Sequence, residues 1–152
     1  MQKIKEGFSL IILLCFISYN SFSQNTHNTD SSIIYQTGNP VNWPKEKDAV
    51  IAAPKNHKVI LENDNVRVLE VTVLPGETEQ VHSHRWPSVL YIQAAGDFID
   101  RDSKGAVIFD SRLLKTPLQF PMTMWKDPEA PHSVENLSKT ITLRLIRVEI
   151  KK

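Results

Sequence analysis

From residue 58 onward, hydrophobic and polar positions fall into short runs that stop at turn residues. KVILE at Lys58–Glu62 ends at Asn63-Asp64-Asn65, and VRVLEVTVL at Val66–Leu74 ends at Pro75-Gly76. Runs from Val81 to His84, Ser88 to Gln93, Asp97 to Arg101 and Ala106 to Asp110 follow, divided by Pro87, Gly96 and the Asp102–Gly105 turn. LQFPMTMW (Leu118–Trp125), HSVEN (His132–Asn136) and TITLRLIRVEI (Thr140–Ile150) complete the series. β-branched and aromatic residues fill such runs because they fit a pleated, half-buried surface, and Asn, Asp, Gly and Pro punctuate them. Nothing after residue 58 repeats with helical period over a helical length. Many short strands at regular spacing predict an all-β sandwich or barrel over residues 58–152.

The chain before that barrel is organised differently. Gln24–Ser32 reads QNTHNTDSS, polar and without period, which is linker composition. Ile33 to Pro54 carries Pro40, Pro44 and Pro54 around Trp43, a density that argues against a long helix. Residues 24–57 are therefore expected to form a linker and an extended arm that packs on its own barrel or crosses to a second subunit. At the start, Lys3 and Lys5 precede an apolar run from Phe8 to Ile17 and a polar stretch from Tyr19 to Ser23. That three-part layout predicts a signal peptide over residues 1–23, with small Ser21 and Ser23 ahead of a cut before Gln24. The run is short of the roughly 20 apolar residues of a permanent span, the alternative being an uncleaved anchor. Cys15 lies inside the run behind Leu14, where a lipid-modified cysteine would follow a small residue. The expected location is periplasmic or secreted, with a cysteine-free mature chain.

Composition narrows this only slightly. Hydrophobic residues make up 41% and charged residues 23%, an ordinary globular balance. The formal net charge is +1 and no basic block stands out, so no nucleic-acid partner is expected.

The candidate chemistry follows from strand parity. Side chains alternate faces along a strand, so His82 and His84 project together, Ser88 shares a face with Leu90 and Ile92, and His132 shares one with Val134 and Asn136. Two histidines at alternate positions on a strand and a third far downstream suit a divalent metal: iron, zinc, nickel, manganese or copper. Arg85 and Trp86 offer a charged fork and a flat face at a pocket lip, or else Trp86 packs in the core and Arg85 is solvated. Met122, Met124 and Trp125 are expected to line the interior, with Met124 at the pocket, and Glu79 is a candidate partner orienting an imidazole. Tyr91, Gln93 and Glu135 fall on outer faces, and His27 and His57 are expected at the surface. No nucleophile elbow and no phosphate-binding glycine loop is present.

Gly76, five residues and then His82-Ser83-His84 resemble the first sequence motif of the cupin family. His132, three residues and Asn136 resemble the end of its second. The resemblance spans roughly residues 58–150 and implies a jelly-roll β-barrel whose two motifs bring His82, His84 and His132 around a divalent metal. It departs where the family supplies a glutamate, since Ser88 and Val89 stand there. It departs again where a glycine-rich turn precedes the second histidine, since Asp127–Pro131 stands there. The expected function is a small exported cupin binding a metal through three histidines and acting on a small molecule. The alternatives are a metal-free module that binds a small molecule and a purely structural body. A homodimer is expected, because cupin domains pair through their sheets.

Overall fold

The computed structural model describes residues 39–151, which lie within one unit of residues 32–152. The expectations for the leader, Cys15, His27 and the linker fall outside the described residues. Short 3-10 turns at Pro40–Asn42 and Lys45–Lys47 lead into one helical turn, α1 (Ala49–Ala52). Nine strands follow: β1 (His57–Glu62), β2 (Val66–Val73), β3 (His82–His84), β4 (Ser88–Ala94), β5 (Phe98–Asp102), β6 (Val107–Asp110), β7 (Met122–Lys126), β8 (Glu129–Asn136) and β9 (Leu143–Ile150). Each run expected from the sequence contains a strand. Two boundaries moved: β7 begins only after the cis Phe120–Pro121 bond, and β8 begins at Glu129, ahead of the run expected from His132. Pro131 fits within β8 because the β3–β8 pairing is irregular there, passing from His82↔His132 to His84↔Glu129.

The strands form two antiparallel sheets, one ordered β1-β2-β9-β4-β7 and the other β3-β8-β5-β6. Strict alternation on β2 and β4 buries Arg67, Leu69, Val71 and Val73 and then Ser88, Leu90 and Ile92. Register aligns these inner positions across strands into layers. Val73 lies against Leu143, and Val71 and Ile92 lie against Leu145. Leu69 and Leu90 flank Arg147, and Arg67 and Ser88 flank Glu149. The inner face therefore grades from apolar at one end to charged at the other.

The described part of the arm packs on its own barrel. Trp43, Ala49 and Ala53 are buried. Asp48 forms a parallel bridge with Ser83 at the free edge of β3, and Ser83 Oγ donates to Lys47 O at 3.1 Å. That cover explains why β3 is buried on both faces. It also blunts a sheet edge.

Asn136, a pocket candidate from the sequence, is instead a tie between the sheets. Its Nδ2 donates to Val73 O and Ile141 O, both at 2.9 Å, and its Oδ1 accepts from Ser138 N at 3.0 Å. Asn136→Ala leaves two carbonyls and one amide without that partner. It is expected to destabilise the fold by about 2–4 kcal/mol, read as a lower urea midpoint at unchanged slope. A midpoint within error of wild type would contradict this role.

Candidate metal centre

Every described histidine lies in one cluster. His82 and His84 share the inner face of β3, and His132 is the register partner of His82 on β8. Ring centroids are 5.0 Å apart for His82–His84, 4.7 Å for His82–His132 and 5.8 Å for His84–His132. His57 was expected at the surface and is not there. It is 4% exposed, with its ring 4.4 Å from His82 and 5.2 Å from His84. Two features bring it in. A bulge on β1 shifts the pairing from Leu61↔Val68 to Val59↔Leu69, so His57 meets Val71 on the inner face. The turn after α1 then closes over it, with Ala53 O accepting from His57 N at 3.1 Å.

The hydrogen bonds of the rings fix which nitrogen is free. Nδ1 of His57 lies 3.2 Å from Ala53 O, that of His82 2.8 Å from Gln80 O, and that of His132 2.9 Å from Ala130 O. Nδ1 of His84 lies 2.8 Å from Glu149 Oε1. Carbonyls and carboxylates accept, so each Nδ1 carries the proton and each Nε2 keeps its lone pair. This is the outer-partner pattern of ligating histidines. Burial is the main reason that His57, His82 and His84 stay neutral. It lowers His57 from 6.5 to about 3, with Arg147, His132 and Arg67 adding to the effect. His82 and His84 lie well below the ordinary value for the same reason, the positive groups around them contributing.

Two overlapping ligand groups result. His57, His82 and His84 bring their ligand atoms within 4.8 Å of one another, as do His84, Glu129 and His132. The donor set fits a metal that favours imidazole, and His57, His82 and His84 form a triad able to hold one.

Charged side chains surround this centre. Arg67 donates from Nε to Glu149 Oε2 and spans Asp48 with Nη1 at 2.9 Å and Nη2 at 3.2 Å. Glu149 thus joins Arg67 to His84 while fully buried. Burial opposes ionisation of Glu129, yet Arg147 at 2.7 Å and Lys126 at 2.9 Å hold its carboxyl well below the usual range. Glu79 Oε1 sits 3.8 Å from His57 Nε2 without a hydrogen bond, and burial pushes that carboxyl up to about 8.

The remaining sequence candidates are spread around the centre. Ser88 is fully buried, its Oγ donating to Trp86 O and accepting from Arg147 Nε. Met124 pairs with Leu90 on the inner face of β7, whereas Trp125, expected inside with it, faces outward and is 55% exposed, because successive residues on a strand point to opposite faces. Trp86 lies beneath the Arg67 guanidinium at 4.8 Å, and Lys151 Nζ is 5.3 Å from its ring. Arg85 reaches to 3.9 Å of Asp48 Oδ2 and is partly exposed. Trp86 therefore packs against buried charge, and Arg85 sits at the rim. Glu135 pairs with Arg101 away from the rings. Sequence reasoning missed Glu129, Arg147, Glu149 and Arg67. For Arg147 and Glu149 a signal existed, since both keep phase with Leu143 and Leu145 on one face of the strand.

No protein-family model and no curated protein matches the sequence. Among solved structures, a cupin domain from Bordetella pertussis superposes with a TM-score of 0.51 at 22% identity, covering 63% of this chain and 92% of that one. A cupin family protein with a double-stranded β-helix fold from Methanocaldococcus jannaschii aligns at 0.46 and 11% identity, covering 62% and 77%. The chain has the cupin fold.

In metal-free protein, His57 remains neutral between 6.5 and about 3 while its unfolded counterpart is protonated, so acid favours unfolding through this group. His57→Gln removes that linkage. Its stability relative to wild type should improve by about 1.4 kcal/mol per pH unit below 6.5, read by urea unfolding in chelator. A difference that stays constant with pH would refute the buried neutral state.

Proposed function

We propose that this cupin-fold protein is exported and binds one divalent metal ion at its histidine cluster, where it acts on a small molecule. The observation that carries the reading is the outward use of every Nδ1 in the cluster. It leaves four Nε2 lone pairs in one buried place. His57, His82 and His84, neutral and held by carbonyls and by Glu149, require no proton loss before ligation and little reorientation. The primary ligands are His57, His82 and His84, with His132 beside them. A bound divalent ion would supply an open coordination position and Lewis-acid polarisation of a ligand oxygen. The protein's part is to keep the rings neutral, fixed and shielded from water.

Element analysis of the purified protein is the direct test, with about one metal per chain expected. His82→Ala and His84→Ala should lose it. Glu149→Gln, which weakens the hold on His84 Nδ1, should lower metal affinity about 10–100-fold. A protein that purifies and remains metal-free, with both alanine variants folding as wild type, would leave the alternative of a metal-free module that binds a small molecule.

The leader-like Lys3–Ser23 supports export. A homodimer belongs to the same proposal, on the outer face of the larger sheet. There the register aligns Leu61, Val68, Val148, Val89 and Trp125 into one apolar row across all its strands. Leu61 and Trp125 are 50% and 55% exposed. A second copy pairing this face with itself would cover the row. Val89→Asp is expected to give a monomer by light scattering, and an unchanged assembly would rule that face out.

A further inference from the structure

Among the described residues, three buried side-chain atoms have no hydrogen-bond partner: Glu79 Oε1, Asp100 Oδ1 and Arg147 Nη2. The arginine atom points furthest. Arg147 is 4% exposed, and two of its nitrogens are used: Nε donates to Ser88 Oγ at 3.0 Å, and Nη1 meets Glu129 Oε2 at 2.7 Å. The guanidinium therefore reaches from β9 in one sheet to β8 in the other, across the barrel interior. It does so beside the histidines. Glu129 shares a ligand group with His84 and His132, and Glu149 Oε1, 3.8 Å from Arg147 Nε, accepts from His84 Nδ1.

A guanidinium presents Nε–H and an Nη–H side by side, a fork that a carboxylate meets with both oxygens. Ser88 stands at this fork with a single oxygen, and that oxygen takes only the Nε–H. A serine ends where a longer acidic side chain would only begin. The unpaired Nη2 thus follows from the residue at position 88, and a buried donor without an acceptor is costly to maintain.

We propose that Arg147 Nη2 receives the carboxylate of a small ligand bound beside the histidine cluster. Small carboxylates are then the ligand class of the proposed metal site. The inference rests on that reading for the ligand's chemistry at the metal. The arginine contact itself is available with or without an ion, so the two can fail separately.

The test uses acetate and its uncharged counterpart acetamide, added to the zinc-free and the zinc-treated protein at constant pH and ionic strength. The melting midpoint is the readout. Acetate is expected to raise the midpoint saturably in both forms and acetamide to leave it unchanged. Arg147→Lys should weaken the apparent acetate affinity about fivefold or more. Ser88→Glu tethers a carboxylate at the same fork and should abolish the response. If Ser88→Glu does not fold by circular dichroism, Ser88→Ala serves in its place. It frees Nε as well as Nη2 and is expected to bind acetate more tightly. Equal responses to acetate, acetamide and chloride would overturn the proposal and leave Nη2 to water. So would a full acetate response in folded Ser88→Glu. A protein that takes up no zinc yet responds to acetate would uphold the arginine contact as independent of the metal.

Discussion

A fully buried carboxylate, Glu149, holds the charged end of the barrel together. One oxygen accepts from His84 Nδ1 and the other from Arg67, whose guanidinium continues to Asp48 in the arm. Burial raises the carboxyl's affinity for a proton, and the Arg67 and Arg147 guanidiniums oppose that rise. Removing one member of such a set leaves an uncompensated charge in low dielectric, at a cost of about 3–5 kcal/mol. The orientation of His84, the Arg67 bond to Asp48 in the arm and the placement of Trp86 under Arg67 all depend on this carboxylate.

The rest of the interior is arranged around that concentration of charge. Val71, Val73, Ile92 and Leu143 fill the opposite end with the apolar contacts that a cysteine-free segment needs. Asn136 closes that end by satisfying main-chain carbonyls of both Val73 and Ile141. Burying Arg147, Glu129, Glu149 and the histidines contributes little net stability, since desolvation offsets most of the attraction. Their arrangement makes sense as preorganisation: neutral imidazoles are held by groups that cannot rotate away.

The departure at position 88 takes on a different meaning once the neighbours are seen. From the sequence it read as a lost carboxylate. In the fold two carboxylates approach the same rings from other strands, Glu149 from β9 and Glu129 from β8, each matched by an arginine. Negative charge absent from β4 is supplied by β9 beside it and by β8 in the facing sheet, and what remains at Ser88 is an arginine fork half satisfied.

Period-two patterning was enough to read the β class, the inner faces of β2 and β4, and the pairing of His82 with His84 on one face, because side-chain direction on a strand is a local property. The resemblance of the two motifs added His132 on the same basis. His57 was out of reach because one extra residue on β1 reverses the parity of everything before it. Nothing in KVILE marks the bulge, which is decided by how β1 seats on β2 beneath α1. Glu129 was hidden because Asp127–Pro131 has turn composition, and only pairing with β3 makes its latter half a strand. Local chemistry along the chain thus determined which residues can share a face. Register, bulges and the cover of the arm decided which of those faces meet, since they arise from contacts between segments distant in sequence.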